Sequence, residues 1–246
     1  MLRLTVINMI ILFVWIPFLR NALLKICGFK ISWQARIGLS LVLTRKVTLL
    51  GQSRISNFNL IKCDGVTLSN KSTIGFMNII KGNFKIYLGD NSHIGNLNII
   101  KNNGLHIIPR ASVLRLGRFS KITASHYIDM SCDVLFGENS VLGGRSSSLW
   151  THGFVHFNKG VDRLMKLEPI NIGNGVYVGS NCVVNPDTKI GDDINIGAGV
   201  SVAGTIKSPG LYVNQKLRFI NIGSLEDFKK GRSIDYDYKT GNPRFY

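Results

Sequence analysis

An aliphatic residue, followed in most cases by a small one, recurs at every sixth position in the C-terminal part of the chain. The aliphatic members of this series are Ile172, Val178, Val184, Ile190, Ile196 and Val202. An α-helix would place apolar residues three and four positions apart, and a half-buried strand would alternate them at two. A period of six instead predicts a short strand and a corner, with the aliphatic side chain inside and the small residue at the bend.

A longer coil built from the same unit precedes this series. Its apolar residues form two rows with a spacing of 20: Leu68, Leu88, Ile108 and Ile128, and Ile74, Ile94, Leu114 and Val134. A coil with three sides, stacked on the next, forms a triangular prism whose parallel strands lie roughly 4.8 Å apart along its axis. The sequence therefore predicts an all-β solenoid, a parallel β-helix, over residues 36–223.

The two ends of the chain differ from the repeat. A solenoid needs its terminal coils covered, and we assign this role to an apolar helical segment at 1–35 and a tail at 224–246. Residues 4–19 are nearly uncharged but shorter than the roughly 20 residues of a membrane-spanning helix. Two interpretations stay open: a cap buried on the β-helix, and a peripheral membrane contact whose flanking cations, Arg3 and Arg20, meet anionic headgroups.

Composition narrows the partners and the compartment. Thirty Lys and Arg residues against fourteen Asp and Glu give a formal charge of +16, which favours anionic partners. The basic residues are scattered and form no nucleic-acid reading motif, so we expect no nucleic acid. The four cysteines have no paired spacing and are typical of a reducing compartment. We expect a cytoplasmic protein, at the inner face of the membrane if residues 4–19 bind lipid.

The segment 169–206, which contains the six-residue series, resembles the hexapeptide-repeat acyltransferases, and among them the O-acetyltransferases of surface polysaccharides. The resemblance implies a left-handed coil, a homotrimer with active sites between neighbouring prisms, and acetyl-CoA as the acyl donor.

The repeat is interrupted at 143–168, which we interpret as a protruding loop that carries functional groups. Acyl transfer to a hydroxyl needs a base with a pKa near neutrality, and imidazole meets this requirement. The family has a histidine about two dozen residues before the first strong C-terminal repeats, and His152 occupies that place. We predict His152 as the general base, with His156 as the next candidate. Trp150, Arg145 and His156 are candidates for substrate contact.

A zinc site is the alternative use of these histidines, because related prisms hold zinc with three histidines. The third ligand would be His93, His106 or His126, and no required spacing is evident. We therefore predict no metal.

The resemblance also implies which residues contact coenzyme A. The glycines among them have an equally good structural role at corners, and the two cations would pair with phosphates. The positions are Tyr177, Gly179, Ser180, Gly197, Ala198, Lys216 and Arg218.

These expectations combine into one leading hypothesis. The chain is predicted to transfer acetyl from acetyl-CoA to a sugar hydroxyl during polysaccharide biosynthesis (capsule, O-antigen or exopolysaccharide), on a carbohydrate acceptor that is lipid-linked in many such pathways. One alternative is N-acyl transfer to a nucleotide-linked amino sugar. The other is a non-catalytic scaffold, which the segment 213–217 favours because it lacks the Gly-x-Pro-Ala-Lys sequence of many family members.

Overall fold

The computed structural model describes residues 2–44, 46–102, 111–157 and 162–214, together with the backbone of 234–236 and 243–245. Its contacts divide the chain into two units, Met1–Asn214 and Gln215–Tyr246. The second unit contributes an antiparallel pair of strands, β29 (Ile234–Tyr236) and β30 (Pro243–Phe245). The predicted end of the β-helix, residue 223, lies outside the described residues, and the last solenoid strand among them ends at Tyr212. The cofactor candidates Lys216 and Arg218 lie outside the described residues.

The first unit is a parallel β-helix with three faces, which we call A, B and C in the order in which the chain visits them. Face A consists of β1 (Lys30–Ile31), β4 (Val47–Leu49), β7 (Gly65–Leu68), β10 (Phe84–Leu88), β13 (Ser112–Leu116), β16 (Val134–Phe136), β21 (Ile170–Ile172), β24 (Lys189–Ile190) and β27 (Thr205–Ile206).

Face B consists of β2 (Arg36–Ile37), β5 (Arg54–Ile55), β8 (Thr73–Ile74), β11 (His93–Ile94), β14 (Lys121–Ala124), β17 (Val141–Arg145), β22 (Tyr177–Val178), β25 (Ile194–Ile196) and β28 (Gly210–Tyr212). Face C consists of β3 (Leu41–Val42), β6 (Leu60–Lys62), β9 (Ile79–Lys81), β12 (Ile99–Lys101), β15 (Tyr127–Asp129), β18 (Ser148–Leu149), β23 (Val183–Val184) and β26 (Ser201–Val202). Faces of nine, nine and eight strands make eight complete turns and two sides of a ninth. This architecture confirms the predicted parallel solenoid and is consistent with a left-handed β-helix.

The six-residue series forms the interior of the last turns, as predicted. Ile172 pairs with Ile190 on face A, and Val178 pairs with Ile196 on face B. All six aliphatic side chains are buried. Because each turn here has 18 residues, equivalent positions stack directly and the aliphatic side chains form continuous rows through the core.

The predicted 20-residue rows are correct only in part. Ile74 pairs with Ile94, but Ile94 pairs with Ile122 and Leu88 with Leu116, which are both 28 residues apart. The connection between β12 and β13 holds eight residues more than the 20-residue period allows. Each row therefore continues eight positions later than predicted, and Ile108 lies outside the described residues.

A column of polar side chains lines the inside of the corner between faces B and C, one from each of the first seven turns. In this interior polar column a side-chain atom of each member accepts a hydrogen bond from the backbone N–H of the next, over 2.9–3.2 Å. Such bonds satisfy polar groups that water cannot reach. The column consists of Ser40, Asn59, Asn78, Asn98, His126, Ser147 and Cys182.

Two helices, α1 (Leu2–Phe13) and α2 (Pro17–Ile26), cover the first turn. Ile7, Ile11 and Leu24 are buried against it. The Asn8 side chain accepts a hydrogen bond from Val42 N and donates one to Val42 O. It therefore pairs backbone groups of β3, the first strand of face C, that have no neighbouring strand on that side. The N-terminal segment therefore caps the solenoid. Within the described residues, no helix has the length and apolarity needed to cross a membrane.

Candidate active site

The excursion from the β-helix is a hairpin of β19 (His152–Phe157) and β20 (Asp162–Leu167), which pairs His152 with Leu167. It leaves the prism between β18 and β21, at the corner between faces C and A. The sequence predicts a protruding loop over 143–168. Residues 143–151 instead complete the sixth turn, because Leu142 and Leu149 are still buried as core residues of faces B and C.

His152 is the first residue of the hairpin, and its imidazole contacts a carboxylate of the prism. Its Nδ1 lies 2.8 Å from Oδ2 of Asp129, the last residue of β15. The side chain of Asp129 is 0% exposed and that of His152 is 11% exposed. Because a carboxylate accepts hydrogen bonds, Nδ1 carries the proton and Nε2 has a free lone pair in the neutral ring.

Asp129 is held in place by three further donors. Its Oδ1 accepts a hydrogen bond from the Ser131 hydroxyl at 2.9 Å, and its Oδ2 lies 3.1 Å from Thr151 N and 2.7 Å from Thr151 Oγ1. Such contacts satisfy the carboxylate oxygens and fix their orientation. Asp129 therefore sets the position and the tautomer of His152.

Asp129 is not among the residues predicted from the sequence. The pattern that could have indicated it is a row on face C. Lys62, Lys81, Lys101 and Asp129 occupy the same position of successive strands. Asp129 breaks the pattern of this row, because the three preceding turns have lysine at the same position. That row could not be aligned from the sequence, because the eight extra residues before β13 shift Asp129 out of the expected spacing.

Aromatic rings surround the imidazole on the outer surface. The ring centroids of Trp150 and Phe154 lie 5.9 and 5.8 Å from that of His152, both in edge-on orientations. Tyr127 lies 4.8 Å from Trp150 and extends the aromatic surface along face C. Rings with a polar tip, such as those of Tyr127 and Trp150, suit contact with a ligand that has both apolar and polar sides.

His156, the second candidate base, lies further along the same strand. Its ring is 6.4 Å from Phe154 and is exposed. Within the described part of the chain it has no hydrogen-bond partner to orient it. Of the two histidines, only His152 has the carboxylate partner that general-base catalysis commonly uses.

The other candidates occupy a different corner, the one between faces B and C. There the backbone N of Arg145 lies 3.4 Å from Ser180 Oγ, and a Cβ on Gly143 would lie 2.6 Å from the ring of Tyr177. A Cβ on Gly179 would come within 2.8 Å of Ala198 N, and one on Gly197 within 2.9 Å of Val213 Cγ1. Close packing between turns therefore accounts for both glycines without a ligand.

The structure of a single chain does not bring His152 together with these donor candidates. About five residues, or roughly 16 Å of strand, separate the two corners across face C. Of the substrate candidates, Trp150 lies beside His152, whereas Arg145 lies at the corner of Tyr177, Gly179 and Ser180.

Of the three histidines that were candidates for a third zinc ligand, the two that the structure describes do not lie beside His152 and His156. His126 belongs to the interior polar column: its Nδ1 accepts a hydrogen bond from Ser147 N, and its Nε2 lies 2.9 Å from Thr123 Oγ1. Burial lowers the pKa of His126 to about 4. His93 lies on face B, and His106 lies outside the described residues. Among the residues that the structure describes, no three His, Cys, Asp or Glu side chains form a group that could hold a metal.

A family model described as the bacterial transferase hexapeptide, of six repeats, matches residues 169–204. These turns are bacterial transferase hexapeptide repeats. The match covers β21 to β26, the last two complete turns, and confirms the hexapeptide repeat that the sequence predicts there. No curated protein matches the chain significantly.

Several solved structures of acetyltransferases are similar to this chain. A maltose O-acetyltransferase from Clostridium difficile 630 is 20% identical, with a TM-score of 0.41 over 54% of this chain and 66% of the other, slightly less than two thirds of its length. The polysialic acid O-acetyltransferase OatWY is 14% identical, with a TM-score of 0.49 over 81% of this chain and 91% of the other. The polySia-specific acetyltransferase NeuO is 17% identical, with a TM-score of 0.44 over 78% and 86%. At these identities the likeness concerns the fold alone.

Proposed function

We propose that this hexapeptide-repeat protein is an O-acetyltransferase that moves acetyl from acetyl-CoA to a sugar hydroxyl in polysaccharide biosynthesis. The observation that carries the proposal is the pair of His152 and buried Asp129, 2.8 Å apart, at the foot of a hairpin on the outer surface. The carboxylate orients the imidazole through Nδ1 and leaves Nε2 free beside aromatic rings, which suits a base that takes the proton of a hydroxyl.

In the proposed reaction, Nε2 of His152 accepts the proton of the acceptor hydroxyl while the hydroxyl oxygen attacks the thioester carbonyl. The tetrahedral intermediate then breaks its C–S bond, and the imidazolium returns the proton to the leaving thiolate. Asp129 accepts the Nδ1–H bond throughout and stabilises the imidazolium that forms. The products are an acetyl ester and free coenzyme A.

We further propose a homotrimer, because His152 and the donor candidates Tyr177, Ser180 and Ala198 lie on different corners of one prism. Apposed prisms would bring the donor candidates on turns seven and eight of one chain towards His152 at turn six of the next. Tyr177 and Ala198 are exposed and accessible for such a contact. Analytical ultracentrifugation tests this step, and a stable monomer that is fully active would contradict it.

The N-terminal helices support a proposed contact with the cytoplasmic face of a membrane. Their outer surface exposes 81% of Trp15, 63% of Ile16 and 65% of Phe18, an apolar patch of the kind that docks onto lipid. Sedimentation with anionic vesicles tests this contact. Equal binding by the wild type and a variant with Trp15→Ser and Phe18→Ser would contradict it.

Release of free thiol from acetyl-CoA, measured with a panel of sugar acceptors and with mass spectrometry of the products, tests the activity. His152→Ala should lower kcat by about 10²-fold or more, the scale of a lost general base. His156→Ala is the matched control on the same strand, and its kcat should stay within about 3-fold of the wild type.

Three results would contradict the proposal. Equal losses in the two histidine variants would remove the role of His152. Exclusive acetylation of amino groups would show an N-acyltransferase. Absence of both transfer and coenzyme A binding at millimolar concentration would favour the scaffold.

A further inference from the structure

A groove of about 890 Å³ follows the corner between faces C and A along turns two to four, on the same corner as His152. Its described walls carry five lysines and one carboxylate, and this excess of positive charge is concentrated in one concave surface. These charged residues are Lys46, Lys62, Lys81, Lys85, Lys101 and Asp64.

Three of the lysines occupy one column. Lys62, Lys81 and Lys101 pair in register as the last residues of β6, β9 and β12, so their side chains project from rungs roughly 4.8 Å apart. Like charges at directly opposed positions of a sheet repel and destabilise it. Within the described residues none of the three forms an ion pair. The column therefore opposes folding, and an anion bound along it would relieve the repulsion.

Contacts between side chains connect this column to the catalytic histidine. The next rung after Lys101 is Asp129, the partner of His152. On the outer surface, Lys101 Nζ lies 5.6 Å from the centre of the Tyr127 ring, which in turn lies 4.8 Å from Trp150. Trp150 lies 5.9 Å from His152, so cations, aromatic rings and imidazole follow one another along one corner.

We propose that this groove binds an acidic polysaccharide whose carboxylates pair with the lysine column and which presents a sugar hydroxyl to His152. The inference rests on the proposed acetyltransferase activity and specifies its acceptor. A polymer fits better than a single sugar, because the column spans three rungs before the aromatic surface begins. A pyranose ring advances an extended chain by a length similar to one rung, and Tyr127 and Trp150 offer flat surfaces for sugar rings.

The described lining favours a polysaccharide over a single-stranded nucleic acid. Proteins that bind single strands combine a basic groove with aromatic side chains on which successive bases stack. The described lining of the groove has no Phe, Tyr or Trp, so bases would have no ring to stack on along the lysine column; Tyr127 and Trp150 lie only at its end. The donor's phosphates are a poorer fit as well, since the predicted donor residues Tyr177 and Ser180 lie on turn seven, beyond His152 from the groove.

Calorimetry with an oligogalacturonate hexamer as the probe tests the groove in the full chain. The groove variant combines Lys62→Gln, Lys81→Gln and Lys101→Gln. It should bind the hexamer about 10-fold or more weakly than the wild type, because three exposed ion pairs are lost. Replacing the same lysines by Arg should retain the binding, and the affinity of the wild type should fall as salt is added.

A matched control removes three cations from face B through Arg36→Gln, Arg54→Gln and Lys121→Gln. Its affinity should stay within about 2-fold of the wild type. Equal weakening in both triple variants would show attraction by net charge alone and would overturn the proposal. Equal binding of the hexamer after its carboxyl groups are reduced to neutral galactose units would do the same.

Two other ligands are compared on the same variants. Tighter binding of a single-stranded DNA oligonucleotide, lost in the groove variant, would assign the groove to nucleic acid. Weaker binding of coenzyme A in the groove variant would assign it to the donor's phosphates. Either result would overturn the proposal that the groove binds an acidic polysaccharide.

The readouts also separate this inference from the proposed activity. Groove-dependent binding of the hexamer, without acetyl transfer to any acceptor, would support the groove and reject the activity. Acetyl transfer that requires His152 but has the same KM for oligomeric acidic acceptors in the groove variant would support the activity and reject the groove.

Discussion

Face C has a column of polar side chains at each end of its strands, and the two columns differ in how far their side chains are satisfied by the protein itself. The interior polar column precedes the strands and includes Asn78, Asn98 and His126, each linked by hydrogen bonds to the turn before it. The outer column ends the strands with Lys62, Lys81, Lys101 and Asp129. Both repeat once per turn, yet the lysines of the outer column have no ion-pair partner within the described residues.

The difference shows that the role of a repeated polar residue depends on whether its side chain points into the prism or out of it. A side chain that points into a prism must be satisfied by neighbouring turns, because burial of an unpaired polar group costs free energy. A side chain that points outwards can keep its binding capacity for a ligand. His126 and His152 illustrate this contrast: both ring nitrogens of His126 are used inside, whereas His152 uses one and leaves Nε2 without a partner among the described residues.

The largest effect, on kcat, is expected at Asp129, where the outer column contacts the first residue of the hairpin. Asp129→Asn should lower kcat by about 10²-fold and leave the KM for acetyl-CoA near the wild-type value, because the base stays but loses its fixed tautomer. Nitrogen-15 NMR of His152 should show the Nδ1–H tautomer in the wild type and a mixture or the Nε2–H tautomer in the variant.

The control for Asp129 is Asp90→Asn, the same change at an exposed corner. Asp90 Oδ1 accepts a hydrogen bond from Asn70 N, and the preceding turn uses Asn70 in the same way for Gln52 N. Wild-type kcat and thermal midpoint are expected for this variant. An Asp129→Asn protein with normal kcat would show that the outer column does not position the base.

The next effect concerns stability and the interior column. Asn78 Oδ1 accepts hydrogen bonds from Asn98 N and Nδ2, and its own Nδ2 donates to Asn59 Oδ1 and Gly95 O. Asn78→Ala leaves these buried partners unsatisfied and should lower the free energy of unfolding by about 3 kcal/mol. Denaturant titration measures the loss.

Asn96→Ala is the matched control, since Asn96 is exposed and its Oδ1 accepts one hydrogen bond, from Phe76 N at 2.8 Å. Its loss should be about 1 kcal/mol or less. Similar losses for the two asparagines would contradict the distinction between the inner and outer surfaces of the prism.

The smallest effect depends on pH. Burial lowers the pKa of His126 from 6.5 to about 4 in the folded chain, so the unfolded chain binds the proton first as the pH falls. The stability linked to His126 is complete above pH 6.5 and is lost as the pH falls towards 4. Between pH 7.5 and pH 5 the loss should be about 2 kcal/mol.

His126→Asn tests this linkage, because asparagine occupies the same position in the three preceding turns. The variant should lose about 2 kcal/mol less than the wild type between the two pH values, measured by denaturant titration at each. Equal losses would show that other groups cause the acid sensitivity.

The prediction of the fold succeeded where the signal was local. Each six-residue unit from Ile172 to Val202 forms one strand and one corner, so the repeat can be recognised by counting along the chain. The rows between Leu88 and Leu116 were misaligned, because register across turns depends on the length of a connection. The base candidate His152 was predicted from its residue type and its place in the interruption, but its partner Asp129, 23 positions away, was not.

The sequence alone determined the β-helix, its aliphatic interior and the interruption that contains His152, because these features repeat or break a period along the chain. Only the tertiary structure decided that Asp129 holds His152, that three lysines stack into one column leading to it, and that the donor candidates lie on another corner. The physical reason is that a solenoid brings together residues one turn apart. Their pairing depends on the number of residues in each turn and on the side from which each side chain projects.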